Sequence, residues 1–483
     1  MDKHPLSLSF MDFIYRQEKK IVWPICIVST LLFVLLKILY PHAIIAVDSY
    51  SYVRAAHQSS DVYTFPIGYS KVLAYFHFFT QSDWPVICFQ FIFLEGAILY
   101  FYFTVLYFLR PGKWIRGLIL GCLLINPFVI CFSNFIMSDC IFTALSVIWF
   151  TVSLWHINKP RVILVYILVI LVLLLFTIRY YAIFYPIITI LVILFSRMNW
   201  IVKLTGLALG CLLFWGFIRY TETQYEQLIG RREFSPFSGW QMASNAIVMY
   251  SHIMDRASDV LPPDLQSLHE VVLRQLDSIH AAPSPPDKNF YMWENASPLR
   301  IYMEQQFREQ PVAVEFYKWA SVGSLYGKYG TYLIKRHPFA YLRYYILQGI
   351  EWFVMPDVDF HSVFLSGGYT IDEDMKNWFG YKSKRLPCTR SKIFDLWYFK
   401  VVVLMLNLLM LAGTIGFFAL RQYKTVNVAF KRSVCLATAY WLINFLFIIT
   451  FAPMFLRYAL PVMIFNIAFG FCLVEQIYRD DKG

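Results

Sequence analysis

Four charged residues carry the chemistry that this sequence suggests: Asp48, Asp139, Arg179 and Arg457. Arg457 lies in Phe455-Leu456-Arg457-Tyr458-Ala459-Leu460-Pro461-Val462, inside an otherwise apolar stretch. A guanidinium near the centre of a membrane span costs at least ~2.5–3.5 kcal/mol on insertion scales. It persists where it faces a wet cavity or an anionic partner, so it reads as a site residue. The alternative is an arginine snorkelling to the interface. Asp48 follows the first apolar run, in Ala46-Val47-Asp48-Ser49-Tyr50-Ser51-Tyr52-Val53-Arg54. Asp139 opens the fourth run, in Phe135-Ile136-Met137-Ser138-Asp139-Cys140-Ile141-Phe142, and Arg179 joins the fifth to the sixth. Two carboxylates and two guanidiniums on one membrane face suit group transfer from a phosphate-linked lipid. Arginine matches a pair of phosphate oxygens and stays charged in a poor dielectric. A neighbouring carboxylate can deprotonate an acceptor hydroxyl or amine as it attacks. Each residue also has a structural reading. Asp48 could cap a juxtamembrane helix, Asp139 could pair with Arg179 or cap its span, and Arg179 could be an interfacial anchor.

The elements that must position these residues are membrane spans. Hydrophobic residues make up 58% of the 483 positions and the mean hydropathy is +0.53, too apolar for a soluble globular chain. The formal charge of +11 does not mark a nucleic-acid partner, because the long polar segment Thr221–Asp395 is roughly balanced. The excess sits in short basic clusters between apolar runs. Of nine cysteines only Cys388 falls in that polar segment, and no CxxC occurs, so neither a disulfide framework nor a zinc cluster is indicated.

The hydropathy pattern predicts about ten spans: Ile21–Tyr40, Pro85–Leu109, Gly117–Phe135, Ser138–His156, Val162–Ile178, Tyr180–Ser196, Ile201–Arg219, Trp397–Leu420, Ser433–Phe451 and Phe455–Gln476. The first is long and lacks a small-residue cleavage site, so it reads as an uncleaved span. Arg16, Lys19 and Lys20 precede it. Alternate connections then carry Arg110, Lys113 and Arg116; Lys159 and Arg161; Arg197 and Lys203; and Arg421, Lys424, Lys431 and Arg432, with Arg479 and Lys482 in the tail. The opposite short connections hold little besides Arg54, Lys71, Arg179 and Arg457. This alternation places both termini in the cytoplasm. The expected organisation is a transmembrane module over 1–220 with an extracytoplasmic first loop at 41–84, a mainly helical extracytoplasmic insertion over 221–395, and C-terminal spans over 396–483. Within the insertion, Pro262-Pro263 and Pro283-Ser284-Pro285-Pro286 bracket a helix at Asp264–His280. The aromatic and basic Ala313–Phe353 suits helices on the outer membrane interface.

These motifs, in their order, resemble the GT-C superfamily of glycosyltransferases that use polyprenyl-phosphate sugars. The likeness rests on Asp48 soon after the first span and on Phe65-Pro66-Ile67-Gly68-Tyr69-Ser70-Lys71, which is similar to a Pro-Gly-Tyr-Pro stretch in that loop. It rests also on Met137–Phe142, Ile178-Arg179-Tyr180-Tyr181, Ile334-Lys335-Arg336-His337-Pro338-Phe339-Ala340-Tyr341-Leu342 and Leu456–Pro461. It covers most of the chain except about Thr221–Ala313. Two departures stand out: Asp48 is followed by Ser49 where such proteins usually have a second acid, and Ser70 replaces the second proline. These leave the protein-O-mannosyl and aminoarabinose-transfer subfamilies unsupported.

The resemblance implies an all-α polytopic enzyme of the bacterial inner membrane or plasma membrane. It implies direct, inverting displacement of a sugar from a polyprenyl-phosphate donor onto an extracytoplasmic acceptor. By residue-level transfer, Asp48 is the general base and Asp139 a second acid. Arg457 holds the donor phosphate, assisted by Arg179 and Lys71. His57, His77 and His337 are weaker candidates for the base. Asp48 and Asp139 could share a divalent cation through oxygen ligands, or two arginines could supply the positive charge without a metal. Three rivals remain. A polysaccharide polymerase or ligase would use a diphosphate-linked glycan. A transporter or flippase for a lipid-linked glycan predicts broken spans and paired halves, and no repeat is evident. A non-catalytic assembly protein would tolerate Asp48→Asn and Arg457→Ala.

Overall fold

In a computed structural model, the described residues are 9–256, 259–280, 289–310, 314–358, 364–389, 397–452 and 455–480. Pro283–Pro286 and Lys482 lie outside them. Among the described residues the chain is all-helical, and its only β pairing consists of isolated bridges. Among these residues eight helical stretches are long and apolar enough to cross a membrane: Phe10–Leu39, Trp84–Leu109, Lys113–Phe132, Ser138–Asn158, Trp200–Ile229, Tyr398–Ala419, Val428–Phe451 and Leu456–Arg479. Two shorter apolar helices, Val162–Ile178 and Tyr180–Leu194, occupy the remaining predicted spans. The protein is a polytopic helical membrane protein.

Local chemistry explains where the helices depart from the hydropathy windows. The third expected span, Gly117–Phe135, is two helices, Lys113–Leu124 and Pro127–Phe132. Pro127 lacks an N–H and cannot continue the helix before it. The side chain of Asn126 caps the second piece, accepting from the Phe128 and Val129 N–H groups at 3.1 and 3.4 Å. The helix then ends at Phe132, three residues short of the window. The sixth begins with a 3-10 turn, Tyr180–Phe184. The seventh runs on to Ile229, ten residues past its apolar window, so position 221 falls inside a helix.

The buried side chains form two clusters. One joins the apolar helices to the first loop and the strap at 364–386. The other lies among helices Pro236–Tyr250, Pro263–His280, Pro298–Gln306 and Glu315–Arg336. The bracketed helix is therefore present, one residue longer than predicted. Pro236–Tyr250 and Glu315–Arg336 make the closest helix pair here. A Cβ on Gly323 would lie 2.7 Å from the Cα of Pro236. Trp240 and Trp319 stack beside this contact at 5.7 Å. Tyr225, near the end of the long seventh helix, donates its hydroxyl to the Tyr63 carbonyl at 3.0 Å and so ties the first loop to this second cluster.

Candidate functional site

Three short connections bring the four charged residues together. The first carries Asp48. Residues 44–46 run extended beside the loop before the fourth span: Ile44 N–H donates to Asn134 O at 2.8 Å, and Ile136 N–H donates to Ile44 O at 3.0 Å. This bridge sets the start of helix Val47–His57 next to the start of helix Ser138–Asn158. Ser49, fully buried, caps the first of these by accepting from Ala46 N–H at 2.9 Å. Asp48 is therefore not the cap. Position 49 is thus a buried structural position at the start of this helix. One helical turn beyond Asp48, Tyr52 pairs its hydroxyl with Ser138 Oγ at 2.8 Å, joining the two helix starts directly.

The second connection is the turn at Arg179. Helix Gly68–Phe79 packs against the end of Val162–Ile178 so closely that a Cβ on Gly68 would lie 2.6 Å from the Thr177 carbonyl oxygen. Glycine is required there by the approach of backbone to backbone. The third connection precedes Arg457. Leu456 N–H donates to Asp357 O at 3.0 Å, and Lys400 holds the Asp357 carboxylate at 2.7 Å. Arg457 then sits in a 3-10 turn, Leu456–Ala459, at the head of the last helix.

The result is a chain of charges of alternating sign. Arg457 Nη1 donates to Asp48 Oδ2 at 2.6 Å and stands 3.9 Å from Asp139 Oδ2. Arg179 Nη1 pairs with Asp139 Oδ1. The Asp139 side chain is 1% exposed and Arg457 8%, while Asp48 and Arg179 each reach 13%. The Tyr458 ring underlies both guanidiniums, its centroid 4.5 Å from Arg179 Cζ and 5.0 Å from Arg457 Cζ, a cation–π arrangement that fixes their planes. Tyr181 packs against Tyr458 with its ring tilted by 37° and donates to Asn444 Oδ1 at 2.6 Å. The charges cancel within the cluster, which is what allows four ionised groups to be buried this deeply.

Lys71 is not brought to this cluster. It is half-exposed and pairs with Asp61 at 2.8 Å. The histidines are also elsewhere. His77 stacks on Trp378 at 3.7 Å, with His57 at 5.9 Å from the same ring. His337 Nε2 lies 2.6 Å from Asp259 Oδ2. Burial raises the Asp259 carboxyl, but hydrogen bonds from His337, Tyr250 and Arg336 outweigh it and hold it below the usual carboxylate range. The position between Asp48 and Asp139, where a shared cation would sit, is taken by Arg457 Nη1. Among the described residues no group of three or more His, Cys, Asp or Glu side chains is placed to hold a metal ion.

Residues that the sequence reading did not single out complete the site. Tyr52 was detectable as the residue four after Asp48, on the same helix face, and Tyr458 as the aromatic neighbour of Arg457. Gln90 carried no signal beyond being polar in an apolar run. It is fully buried in the second span, and its amide donates to the Ser133 and Phe135 carbonyls at 2.8 and 2.9 Å. Comparison of the chain with protein-family models, with curated proteins and with solved structures finds no match.

Proposed function

We propose that this protein is an inverting glycosyltransferase of the GT-C type, moving a sugar from a polyprenyl-phosphate donor to an extracytoplasmic acceptor. The observation that carries this reading is the buried Asp48–Arg457–Asp139–Arg179 chain at the ends of apolar helices. In this scheme the chain crosses the membrane ten times, with both termini cytoplasmic and the cluster on the outer face. The basic clusters of the alternate loops support that orientation.

The chemistry follows from the groups present. The acceptor oxygen or nitrogen attacks the anomeric carbon and its proton passes to Asp48. The bond from that carbon to the phosphate oxygen breaks, and its electron pair leaves with the lipid phosphate. Arg457 and Arg179 carry the negative charge that develops on the leaving group, in a site too dry for water to screen it. Asp139, held by both guanidiniums, keeps them in place. Lys71 has no part in this scheme, because Asp61 holds its ammonium.

Mass spectrometry of envelope glycans and polyprenyl-phosphate sugars tests the proposal. Native-host cells with no copy, the wild-type copy or an equally expressed Asp48→Asn copy are compared. The expected result is loss of one sugar from an acceptor, with its lipid-phosphate donor accumulating, in both the null and Asp48→Asn cells. Full rescue by Asp48→Asn would remove Asp48 as the base and favour transport or assembly.

A further inference from the structure

The two carboxylates of the cluster are not equivalent, and the difference bears on the order of events. Asp139 is shared between both arginines and is 1% exposed. Asp48 meets Arg457 through Oδ2 and is 13% exposed. It stands in the first turn of an 11-residue helix whose capping is done by Ser49, so its side chain is not needed to start that helix. Of the two acids, Asp48 is the one that can be displaced without uncovering a sealed charge.

We infer that an incoming lipid phosphate takes the place of Asp48 on Arg457, and that Asp48 becomes available as a proton acceptor only when the donor is seated. The inference rests on the transfer reading for its chemistry, and its physical basis is competition for one donor group. The four named residues sum to zero charge, with two guanidiniums against two carboxylates. A phosphodiester brings one more negative charge, and a guanidinium N–H that already donates to a carboxylate at 2.6 Å must exchange partners to bind it. Carboxylate and phosphate oxygens are the two ligands that the guanidinium fork matches best, so the exchange replaces like with like. The freed carboxylate is then available to take the acceptor's proton as the acceptor attacks. Donor binding thus precedes productive acceptor binding, and an acceptor that arrives alone meets an acid already engaged.

The proposal makes a prediction opposite in sign to that for a carboxylate that merely positions Arg457. Removing a competitor strengthens binding by the fraction of time it held the site. Asp48→Asn should therefore bind phosphate about three- to tenfold more tightly than wild type. The experiment is calorimetric titration of the detergent-purified full chain with farnesyl phosphate, with farnesol and inorganic phosphate as comparison ligands. Asp61→Asn serves as the control for a lost negative charge outside the cluster, and its affinity should not change. Asp48→Ser replaces Asp48→Asn if the latter does not give a monodisperse, cooperatively unfolding protein. Tighter binding by the Asp48 variant, together with loss of at least about tenfold in Arg457→Gln, supports the exchange. Unchanged or weaker binding by the Asp48 variant, with Arg457→Gln still defective, overturns the exchange and leaves the transfer reading standing. Wild-type protein that binds farnesol as well as farnesyl phosphate, or Arg457→Gln protein that binds like wild type, overturns both. Inorganic phosphate binding as tightly as the lipid, with the same variant pattern, supports the exchange with free phosphate as its occupant.

Discussion

At the residue scale, burial sets the energetics of the charge cluster. A buried ion pair contributes little relative to apolar residues of the same shape, but losing one partner leaves a charge in a poor dielectric. Asp139 is the most enclosed member of the cluster, at 1% side-chain exposure, and its direct partner Arg179 is at 13%. Arg179→Met should therefore destabilise the detergent-solubilised protein by about 3 kcal/mol. The double variant Arg179→Met/Asp139→Leu should recover most of that loss. Thermal unfolding followed by intrinsic fluorescence measures both. A double variant no better than the single one would mean that Asp139 is held mainly by Arg457. The same reasoning separates Lys71 from the cluster: an exposed ammonium paired with an exposed carboxylate is a surface contact of small energy.

At the element scale, the site depends on broken helices more than on regular ones. The chain between Phe132 and Ser138 leaves the helix, passes Ile44 and turns back into the membrane, exposing carbonyls that no helix satisfies. Gln90 supplies the missing donors from the neighbouring span and accepts from the Tyr69 hydroxyl at 2.8 Å. A buried carbonyl without a partner costs about 1–3 kcal/mol. Gln90→Leu, of similar volume, strands two carbonyls and one hydroxyl, and should lower stability by about 3 kcal/mol. Because this loop leads directly into Asp139, the same change should also reduce the proposed transfer, followed by mass spectrometry of envelope glycans. A Gln90→Leu protein with wild-type unfolding temperature would show that the loop is held by its bridge to Ile44 alone. Asp357 has the parallel task at the other end of the chain, where its carbonyl holds Leu456 beside Arg457.

At the scale of the whole molecule, apolar helices are joined to a second buried cluster of helices, which the proposed orientation places outside the cytoplasm. Met254 in that cluster's loops is 95% exposed, and Trp114, beside Lys113 and Arg116, is 89% exposed. In a background with Cys388 replaced, Met254→Cys should react with a membrane-impermeant maleimide on intact cells. Trp114→Cys should react only after permeabilisation. The reverse pattern would invert the orientation and place the charge cluster on the cytoplasmic face, removing the extracytoplasmic acceptor from the proposed reaction.

The sequence by itself determined what depends on neighbours along the chain. Runs of apolar residues about 20 long specify spans because every backbone polar group in lipid must be satisfied within the helix; eight of the ten predicted windows overlap helical stretches long and apolar enough to cross a membrane, and the other two overlap shorter apolar helices. The cost of an ionised group at such depth also made Asp139, Arg179 and Arg457 stand out, with Asp48 beside them. Helix ends were less legible, because Pro127, Asn126 and Ser49 act through caps and breaks that hydropathy averages away. Only the tertiary structure decided the pairing. Asp48 and Arg457 are separated by 409 positions, and no local pattern says which carboxylate meets which guanidinium, or that Lys71 meets Asp61 instead. That choice is made by backbone contacts at Ile44, Gly68 and Asp357, where segments distant in sequence approach closely enough to exchange hydrogen bonds or to exclude a Cβ.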